Sequence, residues 1–136
     1  MVDAFSAIAN NGKILRPKLV KEIVDENKNV VRELEPEIIR ENFIDEANLK
    51  VVREGMREAV LYGSSIILNS LSVEAAAKTG TAQTSKSGYY HNWVTVFAPY
   101  DDPKIVLTVL IENVPEEQVA ALPVAKEILN WYFTRQ

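Results

Sequence analysis

Cysteine is absent from this 136-residue chain and histidine occurs once, as His91. No disulfide framework, thiolate nucleophile or cysteine–histidine zinc cluster can be built from such a set, and zinc is not expected. Long apolar runs are missing too. Nothing approaches the roughly 20 residues that cross a bilayer, and the N-terminus lacks the basic-then-apolar layout of a secretory signal, so the chain as written is expected to be soluble, any anchor lying upstream of Met1. Basic residues are fewer than acidic ones. Fifteen Lys and Arg against nineteen Asp and Glu leave a net charge of -4, which removes the grounds for binding nucleic acid or an anionic membrane face. What remains, 47% apolar and 25% charged residues, is ordinary for a globular protein, and the length suits one domain over residues 1–136.

Val2, Phe5, Ile8 and Ala9 fall on one helical face, and Asn10-Asn11-Gly12 supplies residues that tolerate a left-handed stop. A short helix ending near Asn11 is predicted, and its lack of a cap suits a segment from the middle of a longer helix. Pro17 forbids continuation, and Lys18 to Val24 and Asn29 to Leu34 form a hairpin around Asp25-Glu26-Asn27-Lys28. Asp45 caps a helix with Leu49, Val52, Met56, Ala59 and Val60 on one face, and with Lys50, Arg53, Glu54, Arg57 and Glu58 on a solvated one. Gly63-Ser64-Ser65 ends it, and Ile66 to Leu71 is a loop.

A strand-like run then ends in Lys78-Thr79-Gly80-Thr81. Thr84 to Gly88 is a turn by composition, and Trp93 to Ala98 is a second strand. Pro99 to Pro103 turns the chain into a third, Lys104 to Glu112. Three strands with short links make an antiparallel meander, and the near-continuous hydrophobicity of the third predicts a central position covered on both faces. Pro123 to Phe133 closes the chain as a helix whose stripe of Val124, Ile128, Leu129 and Tyr132 covers the sheet. Glu112, Glu116 and Glu117 belong to a solvated connection and helix start. The fold class is α/β in the α+β sense: an antiparallel sheet flanked by helices.

Lys78-Thr79-Gly80 is the one place where the residues point to chemistry. Taken with Ala77, Thr81, Ala82 and Gln83, with His91-Asn92-Trp93 and Phe97-Ala98-Pro99, it resembles the third signature motif of penicillin-binding proteins and serine β-lactamases, in particular class B penicillin-binding proteins of the penicillin-binding protein 2 group. Ala7-Ile8-Ala9-Asn10-Asn11-Gly12 with Arg16-Pro17 and Val20, and the segment Val51-Val52-Arg53-Glu54-Gly55-Met56, are similar to that family as well. The first two motifs of the set are missing. None of Ser6, Ser64, Ser65, Ser70, Ser72, Ser85 or Ser87 has a lysine three places on or an asparagine two places on.

The resemblance implies the C-terminal part of a transpeptidase domain with a partial penicillin-binding protein/β-lactamase-like fold, without its nucleophile and inactive alone. In that family a serine attacks the D-Ala-D-Ala carbonyl of a peptidoglycan stem peptide, or a β-lactam that mimics it, and a second peptide's amine resolves the acyl-enzyme. By that resemblance Lys78 supplies a fixed positive charge, Thr79 and Thr81 hydroxyls bind the substrate carboxylate, Gly80 permits close approach, and the Thr81 N–H is one oxyanion-hole donor. The implied parent is held at the bacterial cytoplasmic membrane with this domain on its outer face, among other cell-wall synthesis membrane proteins, and the resemblance implies no metal and no organic cofactor. A lone piece of such a domain is expected to expose apolar surface and to dimerise or exchange strands.

Strict alternation puts Lys78 and Gly80 on one face of a strand and Thr79 and Thr81 on the other, so the four converge only at a twisted open edge. Two other readings stay open: a non-catalytic module binding peptide along that edge, and a serine hydrolase assembled from two chains. His91 is a structural or rim residue rather than a base, Tyr90-His91-Asn92 matches a Tyr-x-Asn motif by chance, and Ser85-Lys86 is a solvated turn. Gln83 lines the rim, and Trp93 and Trp131 are core or sheet-covering residues.

Overall fold

A computed structural model describes residues 1–115 and 119–135. Helix α1 spans Val2–Ala9, and Asn11 and Gly12 leave it through positive φ values of 61° and 84°. Two small ribbons follow. Strand β1 (Ile14–Leu15) pairs with β4 (Ile38–Arg40), and β2 (Glu22–Val24) pairs antiparallel with β3 (Val30–Glu33), the hairpin the sequence predicts. Its turn is closed by Asp25, whose Oδ1 accepts the N–H groups of Asn27 and Asn29 at 2.9 and 2.8 Å, the local bonding that makes aspartate a turn residue.

Helix α2 runs over Glu46–Leu61, and Asp45 Oδ1 accepts from Ala47 N–H at 2.9 Å as its N-cap, satisfying a donor that no helical carbonyl reaches. Strands β5 (Ala76–Gln83), β6 (Tyr89–Ala98) and β7 (Ile105–Pro115) form an antiparallel sheet in the order β5-β6-β7. Helix α3 (Ala121–Thr134) lies on one face. Alternation along β6 feeds two cores. Val94, Val96 and Ala98 meet Leu122, Ala125 and Leu129 of α3, with Val60 of α2 and Leu68, while Phe97 points the other way onto Ala9, Met56 and Ala76. Each large aliphatic side chain wholly withdrawn from water contributes about 1.5 to 3 kcal/mol. Helix α2 places Val60 in one core and Met56 in the other, so it fixes where β5 begins.

Four expectations are corrected. The third strand is not central: β7 is an edge of this sheet and β6 is its middle. Its apolar residues are explained by the two cores, since Leu107 and Val109 serve the α3 side and Val106 the other. Residues 66–70 form a 3₁₀ turn, Ile66–Ser70, rather than an irregular loop. Helix α3 starts two residues before Pro123, and its buried side is Ala121, Leu122, Ala125 and Leu129. Val124 and Ile128 stay exposed, and Trp131 is 56% exposed beneath the Arg135 guanidinium. Leu129 is common to the expected stripe and the buried side, whereas Val124 and Ile128 share the helical spacing one position away and face out.

The fourth correction concerns α2. Arg53 and Arg57 are not on a solvated face. Arg53 donates to Ile8 O at 3.0 Å, Ala9 O at 2.7 Å and Tyr100 O at 2.6 Å, and its guanidinium lies 4.9 Å from the Phe97 ring centroid. The side chain of Arg57 is 13% exposed. Glu112 is exposed on β7, whereas Glu116 and Glu117 lie outside the described residues.

Candidate functional site

Strand β5 enters from the core and leaves it within a few residues. Ala75, Ala76 and Ala77 are buried, Lys78 is exposed, Thr79 and Gly80 are half-buried, and Thr81 is exposed. Small side chains at Ala75 to Ala77 let α2 approach this end of the strand. Arg57 completes the junction, with Nη1 donating to Ala75 O at 3.2 Å and Nη2 pairing with Glu74 Oε1 at 2.7 Å. Among the described residues, only β6 pairs with β5.

The phase of the ladder decides what the other side of β5 presents. In an antiparallel pair, directly opposed residues alternate between exchanging hydrogen bonds and turning their backbone groups away. Thr84 N–H donates to Tyr89 O at 3.2 Å, which makes that pair a bonded one. Counting back by twos along the register Ala82↔His91, Gly80↔Trp93 and Lys78↔Thr95 gives the other bonded pairs. The intervening residues Ala75, Ala77, Thr79, Thr81 and Gln83 therefore turn N–H and C=O outward. Arg57 on Ala75 O agrees with this phase, as does Lys78, whose ammonium folds along the strand and donates to Thr79 O at 2.5 Å.

The side chains follow the alternation. Lys78 and Gly80 stand over Thr95 and Trp93 on one face, and Thr79 and Thr81 over Val94 and Asn92 on the other. What brings Lys78 towards Thr79 and Thr81 is the edge itself: the ammonium sits on the carbonyl of Thr79, on the same side as the Thr81 N–H. Gly80 is not forced by packing, since a Cβ there would meet Trp93 Cβ at an ordinary 3.6 Å; its bare face leaves room for an approaching group. The electrostatics are one-sided. From Ala75 to Tyr100 the sequence holds Lys78, Lys86 and no acidic residue, a cationic edge in an acidic chain. A ligand with a carboxylate and an extended backbone matches this arrangement, the first by charge and hydroxyls, the second by the outward amides.

Other candidates take structural places. His91 accepts the Asn113 N–H at 3.4 Å beside the irregularity where β6 and β7 shift register. Asn92 turns towards α3, where its Oδ1 accepts the N–H groups of Ala120 and Ala121 at 3.1 and 2.8 Å. Lys86 lies over the Tyr89 ring, 3.6 Å from its centroid, in the exposed turn, and Gln83 is exposed at the strand's end. Trp93 is half-buried beneath Gly80. A cleft of about 740 Å³ opens between Asn11, the segment 42–44, α2 and Tyr100, and none of its lining residues belongs to β5.

Sequence reasoning passed over Ser64, whose hydroxyl oxygen lies 3.0 Å from Thr79 Oγ1. Residues that end a helix carry no periodic signal, so Ser64 looked like a stop and nothing more. Asn92 left a trace, a polar residue at the head of an apolar strand run, which is a reason to seek a hydrogen-bond partner.

The chain has relatives among known proteins. Residues 1–130 match the model of the penicillin binding protein transpeptidase domain. The chain is 30% identical over 147 residues to Penicillin-binding protein 2A of Bacillus subtilis, covering 94% of this chain and 20% of that protein. It is 28% identical to the peptidoglycan D,D-transpeptidase MrdA of Haemophilus influenzae, covering 98% and 23%. The chain thus spans about a fifth to a quarter of the length of these relatives. Among solved structures, penicillin-binding protein 2B of Streptococcus pneumoniae superposes with a TM-score of 0.85 at 21% identity, covering 99% of this chain and 24% of that one. Penicillin-binding protein A of M. tuberculosis, in an imipenem acyl-enzyme complex, gives 0.81 at 24% identity, covering 97% and 29%.

Proposed function

Because the chain belongs to the penicillin-binding protein transpeptidase family, with class B relatives, we propose that β5 is the substrate-binding strand of a D,D-transpeptidase that cross-links peptidoglycan stem peptides. The observation that carries the reading is the outward-facing edge at Thr79 and Thr81 with the Lys78 ammonium laid along it.

In the proposed reaction a serine hydroxyl attacks the carbonyl carbon of the penultimate D-Ala. The C–O bond forms, the C–N bond to the terminal D-Ala breaks, and that residue leaves as an amine carrying the serine's proton. The amine of a second stem peptide then attacks the ester and frees the serine. No serine of this chain has the Ser-x-x-Lys spacing, so the acylated serine belongs to another segment or chain. Here β5 acts by position and charge. The Thr81 N–H faces the carbonyl oxygen as negative charge gathers on it, a donor of a kind whose loss costs roughly 3 to 4 kcal/mol of barrier. Lys78 and the Thr81 hydroxyl hold the terminal carboxylate, with Thr79 on the same face. β-Lactams occupy the same strand through their own carboxylate. The whole protein acts at the outer face of the cytoplasmic membrane, beside other cell-wall synthesis proteins.

The test is a nuclear magnetic resonance titration of the chain with an N-acetylated peptide ending in D-Ala-D-Ala. Shifts centred on Lys78 to Thr81, lost in Lys78→Ala and weakened in Thr81→Val, support the reading; shifts elsewhere, or none, remove it. A second reading, a non-catalytic peptide-binding module, draws on the same open edge together with the missing serine pattern. Covalent uptake of a fluorescent penicillin by the chain joined to a relative's Ser-x-x-Lys segment separates the two: the lone chain takes up none under either reading, and only a transpeptidase strand completes the acylating site.

A further inference from the structure

The turn that follows α2 reaches the motif directly. Ser64 Oγ and Thr79 Oγ1 are 3.0 Å apart, and the turn that carries Ser64 is tightly held. Tyr62 N–H donates to Glu58 O at 3.0 Å, and Ser65 N–H to Ala59 O at 2.9 Å. A Cβ at Gly63 would come within 2.8 Å of Ala59 Cα, so the close return of the chain requires glycine there. Leu68, wholly buried, fixes the other end of the turn in the core. Ser64 therefore stands at a set distance from β5, although its own side is open to solvent.

A hydroxyl has one hydrogen and two lone pairs. If Thr79 donated to Ser64, it would meet an incoming carboxylate with lone pairs alone, which repel it. If Ser64 donates to Thr79 Oγ1, the Thr79 hydrogen is left for the anion, and each bond polarises the next. An approaching carboxylate thus selects the order Ser64 to Thr79 to ligand. We infer that Ser64 is a positioning residue for the carboxylate subsite of β5, making Thr79 a directed hydrogen-bond donor without itself touching the ligand. This rests on the substrate-strand reading above.

The test uses the 136-residue chain and two probes, N-acetylated D-Ala-D-Ala with its free carboxylate and the same peptide as the C-terminal carboxamide. The unsubstituted chain is expected to prefer the acid. Ser64→Ala should cut affinity for the acid about three- to tenfold, the range of one ordinary hydrogen bond, and leave the amide unchanged. Ser64→Thr, which keeps the hydroxyl, should restore the preference, and Ser64→Ala on top of Thr79→Val should add nothing further. Equal loss for acid and amide in Ser64→Ala, or an intact acid preference in it, overturns the role of Ser64 and leaves the strand reading standing. No preference for the acid in the unsubstituted chain removes the strand reading, and this inference with it.

Discussion

Asn92 Oδ1 accepts the N–H of Ala121 at 2.8 Å, so the N-terminus of α3 is capped by the sheet rather than by the helix's own sequence. The bond is buried, with Asn92 9% exposed and Ala121 fully withdrawn. Ala120, at the cap position, has no side-chain acceptor to offer, and Asn92 replaces it from across the interface. Replacing Asn92 with alanine removes the acceptor and strands a buried N–H, which costs about 1 to 3 kcal/mol. Urea unfolding followed by tryptophan fluorescence should show a lower midpoint of that size; an unchanged midpoint would mean that α3 needs no cap from β6.

Arg53 joins three carbonyls on two elements while its flat guanidinium lies over Phe97. Lysine offers a point charge and cannot keep that fork and stacking together. Arg53→Lys should therefore destabilise the chain by roughly 2 kcal/mol, with amide shift changes grouped at the end of α1 and at Tyr100. Changes confined to α2 would argue that the charge alone matters.

The turn of the β2–β3 hairpin should be sensitive to acid. The side-chain amide and backbone N–H of Asn29 hold the Asp25 carboxyl below its ordinary range. A carboxyl with a depressed folded value stabilises fully above its unfolded value, about 4, and loses that contribution as pH falls through the lower, folded one. The amide resonances of Asn27 and Asn29 should stay native at neutral pH and move only below about pH 4, and Asp25→Asn should flatten the profile. Movement between pH 5 and 7 would point to a different titrating group.

Strand β7 is eleven residues long, forms an edge of its sheet, and carries Leu110 at 37% exposure. An edge of that length and character invites pairing with another copy. The chain should associate in a concentration-dependent way, and Leu110→Lys should reduce this without loss of helical signal. Sedimentation showing a monomer at every concentration would dispose of the idea.

The Asp45 cap, the Asp25 turn and the β5-β6-β7 meander were legible because each has a local signature: a capping residue, a turn cluster, a period-two run between turns. Lys78 to Thr81 stood out through motif and order together. The position of β7 was not legible, because an apolar run reports how many cores a strand serves and not how many neighbours it has. Arg53 and Arg57 misled for a related reason. Helical spacing assigns a long cationic side chain to water, but neither α1's last carbonyls nor Ala75 O could be foreseen beside them. Ser64 and Asn92 act across 15 and 28 residues of sequence, and such partners exist only once the sheet and its helices have met.

The hydrogen-bond phase of β5 reaches beyond its present contacts. Because that phase and the facing of the side chains share a period of two, the strand's usefulness is a matter of parity. Shifting β5 by one residue against β6 would turn the amides of Lys78 and Gly80 outward, hide those of Thr79 and Thr81, and carry the Thr79 hydroxyl away from Ser64. A shift by two would restore the pattern with different residues in it. Sequence change along this edge therefore acts as an even-or-odd choice, with no half-working intermediate between.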